Sequence, residues 1–303
     1  MDTHGSPHGH VVVGVDGSEQ AGRALEQAVG EARRRGVPLE IVHGLPWVRH
    51  LGTGPQYAAP SPGDARDLVE SAAARAGRFV PGLEVLVSPV AEDAAALLVR
   101  RSRDAALTVI GTRGLGGFAG LMLGSVSLRV AAHAAGPLLV VRGDLPPEHN
   151  RLRHDTVLLG IADATDADAA AFAFEEAAAR NAKLTVLHAW TYRHFTPPGE
   201  PLMHTGPTRE DIARLARSEA EVPEQVVAAL REKYPQVRTH IRTVRGSAAS
   251  ILVEASRAAD VVVAAAHRRQ SPLALRLSPV DHALLHHAHC PVALVPDLPG
   301  GAS

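Results

Sequence analysis

Residues 10–18 read HVVVGVDGS, and residues 155–163 read DTVLLGIAD. Each is a short aliphatic run that meets a glycine, Gly14 in one and Gly160 in the other, 146 residues apart. Ala-rich helical patterns follow both, over Gln20–Arg35 and Asp168–Asn181. LEIVHGL (39–45) and LTVLHAW (184–190) come next, with His43 and His188 at matching places 145 apart. LTVIGTRG (107–114) matches VVVAAAHR (261–268), and GPLLVVR (136–142) matches CPVALVP (290–296). Pro137 and Pro291 are 154 apart, so the offset grows by 8 along the unit (154 − 146). One unit is therefore written twice. The Pro/His/Thr-rich stretch Thr191–Arg209 is the expected home of the extra residues, and GDLPPEHNRLRH (143–154) reads as the linker. The domains are expected at 1–145 and 146–303.

Each unit alternates strand and helix through five strands and four helices. Its strands are continuous Val/Ile/Leu runs rather than alternating ones, the signature of a parallel sheet covered on both faces. The expected fold is two doubly wound α/β domains in tandem. Ligands in such sheets lie beyond the carboxyl ends of the strands, where the strand order reverses. That directs attention to the residues after the first and fourth strands.

The composition agrees with this plan. A chain of 303 residues fits about two domains. Apolar residues make up 46% and aromatics 3%, so the cores must be aliphatic. Lys and Arg total 31 against 32 Asp and Glu, which leaves no basic footprint for nucleic acid or an anionic membrane. The first ten residues, MDTHGSPHGH, lack the apolar run of a signal peptide. Apolar runs such as Leu138–Val141 and Val261–Ala266 fall far short of the roughly 20 residues of a membrane span. The single cysteine, Cys290, cannot form an intrachain disulfide. A cytoplasmic protein is the expectation.

The segment after the fourth strand reads GTRGLGGFAGLMLGSVS (111–127). Gly111 and Gly114 let backbone amides approach an anion without a Cβ in the way, and tolerate positive φ. Gly124 and Ser125 open an Ala/Leu-rich helix, whose free N–H groups and dipole favour a phosphate. The hydroxyls of Ser125 and Ser127 are further donors. G-x2-G-x9-G-S in this register resembles the nucleotide-binding members of the universal stress protein family. The resemblance runs through nearly the whole chain, twice, and includes VVVGVDGS, where Asp16 matches an acidic residue near the nucleotide.

That resemblance implies an adenine nucleotide alpha-hydrolase-like fold and roles for particular residues. Gly14, Val15 and Asp16 would line the adenine–ribose end, and Val42 would offer backbone contacts to adenine. Gly111, Arg113, Gly114, Gly124, Ser125, Val126 and Ser127 would hold ribose and phosphates. The implied ligand is ATP with Mg²⁺. Read without the family, Asp16 is a turn or cap residue ahead of Glu19, Arg113 a solvated loop cation and Val42 simply core. The second copy departs from the pattern. Gly111 becomes Ala265, Gly114 Arg268, Gly124 Ser278, Ser125 Pro279 and Asp16 Ala162. Pro279 removes an N–H donor, and Asp163 substitutes for the lost acid only through a register shift. The second copy is expected not to bind.

Other features read as structural. His282 and His286 share a helix face with His287 and His289 nearby, but no third ligand is spaced to complete a metal site. His43 and His188 end core strands, and Cys290 is a small core residue. A dehydrogenase fingerprint would place G-x-G-x-x-G after the first strand, where GVDGSEQAG stands. No G-x4-G-K-[ST] occurs, and no lysine lies in 1–150 to meet a γ-phosphate. The expectation is a nucleotide-binding regulatory or stress-response module with no dedicated catalytic residues. A slow ATPase and a scaffold acting only through protein contacts are the alternatives. The final strands of the two units are expected to pair antiparallel, making an intrachain pseudo-dimer. The oligomeric state of the full chain, a homo-oligomer included, stays open.

Overall fold

The computed structural model describes residues 9–45, 62–114, 123–142, 154–192, 208–266 and 277–296. The first unit runs β1 (Val11–Gly14), α1 (Glu19–Arg35), β2 (Leu39–Leu45), α2 (Pro62–Phe79), β3 (Val85–Asp93), α3 (Ala94–Arg101), β4 (Leu107–Gly111), α4 (Ser125–His133) and β5 (Leu138–Val141). The second runs β6 (Thr156–Ile161), α5 (Ala167–Arg180), β7 (Lys183–Trp190), α6 (Arg209–Lys233), β8 (Thr239–Arg245), α7 (Ala248–Ala255), β9 (Val261–Ala265), α8 (Pro279–His287) and β10 (Val292–Val295). Both are doubly wound α/β units, as the aliphatic strand runs imply. A 3-10 turn, Ala164–Asp166, precedes α5.

The helix ends follow local chemistry. Ser18 caps α1 by accepting from the Ala21 N–H, and Arg33, Arg34 and Arg35 sit in its last turn, where the dipole favours cations. Gly36, at φ 65°, closes that helix in the left-handed conformation glycine adopts freely. Asn181, at φ 52°, does the same for α5.

All ten strands form one sheet in the order β3-β2-β1-β4-β5-β10-β9-β6-β7-β8. Eight of the nine pairings are parallel. The ninth, β5 with β10, is antiparallel through Val140–Val292, Leu139–Ala293 and Leu138–Leu294. This is the pairing expected from the sequence. Two aliphatic cores line the sheet, one under α1, α2, α5 and α6 and the other under α3, α4, α7 and α8, and each runs through both units. Helix α6 has 25 residues against 18 in α2. Most of Thr191–Arg209, the expected home of the extra residues, lies outside the described residues. The linker read at 143–154 falls outside the described residues except for His154.

Where α1 meets α5, four charges form a closed ring, its two carboxylates buried and its two arginines partly exposed. Arg35 pairs with Glu31 on its own helix and with Glu176 at 2.5 Å across the seam. Arg180 pairs with Glu176 and with Glu31, each at 2.5 Å. Arg34 also bonds Glu31. Burial alone would raise the Glu31 carboxyl, but Arg180, Arg35 and Arg34 outweigh it and hold the group at about 2. Arg35 and Arg180 are held above the ordinary guanidinium value, because Glu176 and Glu31 overcome their burial.

Candidate nucleotide site

Strand β1 lies between β2 and β4, so its carboxyl end opens on both. The ladder with β2 ends at the pair Gly14–Val42. Beyond it the Val15 N–H donates to Val42 O at 2.9 Å, and Val15 O accepts from His43 Nδ1 at 2.7 Å. Asp16 follows, with Oδ1 accepting the Ser18 N–H at 3.0 Å. This is an Asx turn, the cap reading of the sequence, and Gly17 at φ 85° supplies its left-handed residue.

Across the switch point β4 ends at Gly111, and Arg113 and Gly114 follow. A Cβ built on Gly114 would run into Asp16 Oδ2, and one on Gly111 would meet the Gln20 backbone at 3.1 Å. Neither glycine has positive φ, so close approach rather than backbone conformation is what excludes a side chain here. Gly124 returns to the same place, its N–H donating to Thr112 O at 2.7 Å and its Cα side facing Arg113. It caps α4 with extended backbone and no side-chain hydrogen bond. The first-turn amides of Ser125, Val126 and Ser127 therefore gain no acceptor from the cap side chain. Ser127 spends its one hydroxyl proton on Gly111 O at 2.8 Å, so its free donor there is the backbone N–H. Arg113 Nε is buried with no hydrogen-bond partner among the described residues. The fold thus brings Gly14, Val15, Asp16, Val42, Gly111, Arg113, Gly114 and the first turn of α4 to one end of the sheet. Residues 115–122, within the glycine-rich loop, lie outside the described residues.

The corresponding end of the second unit is built differently. Helix α8 begins with Pro279 and carries a complete capping box. Asp281 N–H donates to Ser278 Oγ, while Asp281 Oδ2 accepts the Ser278 N–H at 3.0 Å. The buried Asp281 carboxylate therefore occupies the helix terminus with its own negative charge. Asp281 stands where the first unit has Ser127 (281 − 154 = 127). After β6 the chain also folds back, and the buried Asp166 accepts the Ala162 N–H at 2.6 Å. The acid is not simply lost at Ala162. Asp163 makes the same i,i+2 turn one residue later, accepting from Thr165 N–H at 2.8 Å and Thr165 Oγ1 at 2.6 Å. Among the described residues the copies therefore differ at the helix terminus and at Gly111, which is Ala265 in the second unit. Arg268 lies outside the described residues.

A family model described as the universal stress protein family matches residues 8–142 and again 154–296. The chain belongs to the universal stress protein family. A universal stress protein of Mycolicibacterium smegmatis is 31% identical over 296 residues, covering 94% of this chain and 96% of the relative. One of Mycobacterium tuberculosis is 30% identical over 301 residues, covering 93% and 94%. The crystal structure of a universal stress protein from Archaeoglobus fulgidus superposes with a TM-score of 0.61 over 97% of this chain and 99% of its own, at 15% identity. A universal stress protein solved in complex with cAMP covers 45% of this chain and 98% of its own, with a TM-score of 0.35 and 27% identity.

Other features of this universal stress protein sit outside the site. Burial, with help from Asp260, pushes the Cys290 thiol up to about 12, so it is protonated and inert at neutral pH. The His282 and His286 rings stack at 6.0 Å. Burial and the neighbouring His282, His287 and Arg142 hold His286 below its ordinary value. Among the described residues no group of three or more His, Cys, Asp or Glu is arranged to hold a metal. No described helix is long and apolar enough to cross a membrane. Sequence reasoning missed the Ser278–Asp281 box, although S-x-x-D before an apolar run was readable; His43 is the satisfied core histidine that its place in the strand implied, bonded to Val15 O.

Proposed function

We propose that the first unit, residues 1–145, binds one adenine nucleotide of the ATP type as its Mg²⁺ salt, and that the second, 146–303, binds none. The observation that carries this is the contrast between two matching helix termini. In α4 the amides of Ser125, Val126 and Ser127 are offered to an anion beside Gly111, Gly114 and the orphaned Arg113 Nε. In α8 Pro279 has no N–H and Asp281 repels a phosphate from the same position. Asp16, with Gly14 and Val15, takes the adenine–ribose end, and Val42 presents its backbone to the base. On this reading the protein acts as a nucleotide-dependent regulatory module of the stress response, and among the described residues of the site none is placed as a base for water attack. Titration calorimetry with ATP and Mg²⁺ tests the reading, supported by mass spectrometry of small molecules released on denaturation. One site per chain is the expected result, and two sites or none would overturn it.

A further inference from the structure

We infer that His43 is a positioning residue for the nucleotide site, holding the turn that carries Asp16; this rests on the nucleotide reading above. The β1–β2 ladder stops at Gly14–Val42, and the next carbonyl, Val15 O, is taken by the His43 ring at 2.7 Å instead of by a ladder amide. A carbonyl only accepts, so His43 Nδ1 carries the proton and donates. With Val15 N–H on Val42 O, both polar groups of Val15 are tied to β2. The Val15–Asp16 peptide is planar and trans, so its C=O and N–H point in opposite directions. Fixing Val15 O toward β2 aims the Asp16 N–H toward β4, the side of Gly111 and Gly114. The same bond sets the start of the Asx turn whose carboxylate packs on Gly114. His43 is buried, and among the described residues it reaches the site through this backbone.

The second unit contains the matching device as an internal control. His188 Nδ1 donates to Ile161 O at 2.9 Å, while its Nε2 is bonded to Glu219 of α6 at 2.8 Å. Glu219 stands where the first unit has Ala65 (219 − 154 = 65). Among the described residues no carboxylate meets His43 in that way. The two histidines thus make the same backbone bond in the same fold, one beside an open helix terminus and one beside a terminus closed by Asp281.

The test measures ATP–Mg²⁺ affinity of the full chain by calorimetry for His43→Ala, His43→Asn and His188→Ala, with hydrogen exchange at Asp16–Ser18 in the free protein. Asn places an amide N–H where Nδ1 stood. His43→Ala is expected to weaken binding about ten-fold, on the scale of one lost hydrogen bond, and to speed exchange in the turn. His43→Asn should restore both, and His188→Ala should leave affinity within about two-fold of wild type. If His43→Ala does not fold, His43→Gln replaces it, since its amide reaches the place of the other nitrogen; the same loss is expected. Unchanged affinity without the imidazole, or an equal loss in His188→Ala, would overturn the assignment. A wild-type chain that binds no nucleotide would overturn the parent reading and this role together, whereas normal wild-type binding with normal His43→Ala binding defeats this role alone.

Discussion

Gly114 leaves no room for a methyl group, because the space a Cβ needs is held by the Asp16 carboxylate. Gly114→Ala must therefore push Asp16 out of its turn before any ligand arrives. We expect the variant to fold, and to lose roughly 1–3 kcal/mol of ATP binding, the range for a disrupted buried polar contact. Calorimetry against wild type checks this. The glycine positions and the Asp-Gly-Ser turn were legible in the sequence, since few other residues tolerate such an approach. The reason for the glycines was not, because close contact and positive φ leave the same mark in sequence; only Gly17 of this group needs the left-handed region. Nor could the sequence reveal that Ser127 turns its hydroxyl inward to Gly111 O, which depends on where the returning helix lands.

Helices α4 and α8 are nine residues each and occupy matching places, yet their first turns have opposite chemistry. In α8 the Ser278–Asp281 box satisfies donors that would otherwise need an outside acceptor. Ser278→Ala should cost about 1 kcal/mol of stability, as typical N-cap losses do, while leaving nucleotide stoichiometry and affinity unchanged. Denaturant melts with parallel titrations test both halves of that statement. Element order was legible because continuous aliphatic runs leave little choice, and α1 begins within one residue of the periodicity reading, Glu19 against Gln20. The start of α6 was not legible, because the Pro/His/Thr-rich composition up to Arg209 reads as a loop. Thr208 in fact starts the helix with its own capping box, and its hydrogen bonds hold the exposed Asp211 below the usual carboxylate value.

Across the whole molecule the β5–β10 pairing and the charge ring at α1–α5 join the two units. The ring was not legible, since Glu31 and Arg180 lie 149 residues apart and each looks like an ordinary helix-surface charge. It sets a pH dependence of known sign. The folded Glu31 carboxyl sits at about 2 against an ordinary 4.5, so its stabilisation is complete above about 4.5 and is lost as pH falls toward 2. The loss should be on the order of 3 kcal/mol. Glu31→Gln should flatten that acid slope while costing about 3–5 kcal/mol at neutral pH, since it strands buried arginines; denaturant melts from pH 7 to 3 give both. A fragment of residues 1–150 exposes the aliphatic β5 edge and should self-associate at tens of micromolar, about the concentration a sedimentation run uses; a folded, strictly monomeric fragment would contradict the edge argument. Covalent linkage has a further effect at this seam. Two separate copies meeting about a dyad must be self-complementary, so every contact appears twice. Here Arg142 donates to His286 O at 2.5 Å, but the offset of 154 turns that pair into Pro296 and Ala132, which have no such bond to offer. A short tether also keeps the halves at an effective concentration near millimolar, so dilution cannot part them. Each half is then free to specialise, provided it still fits its one permanent neighbour.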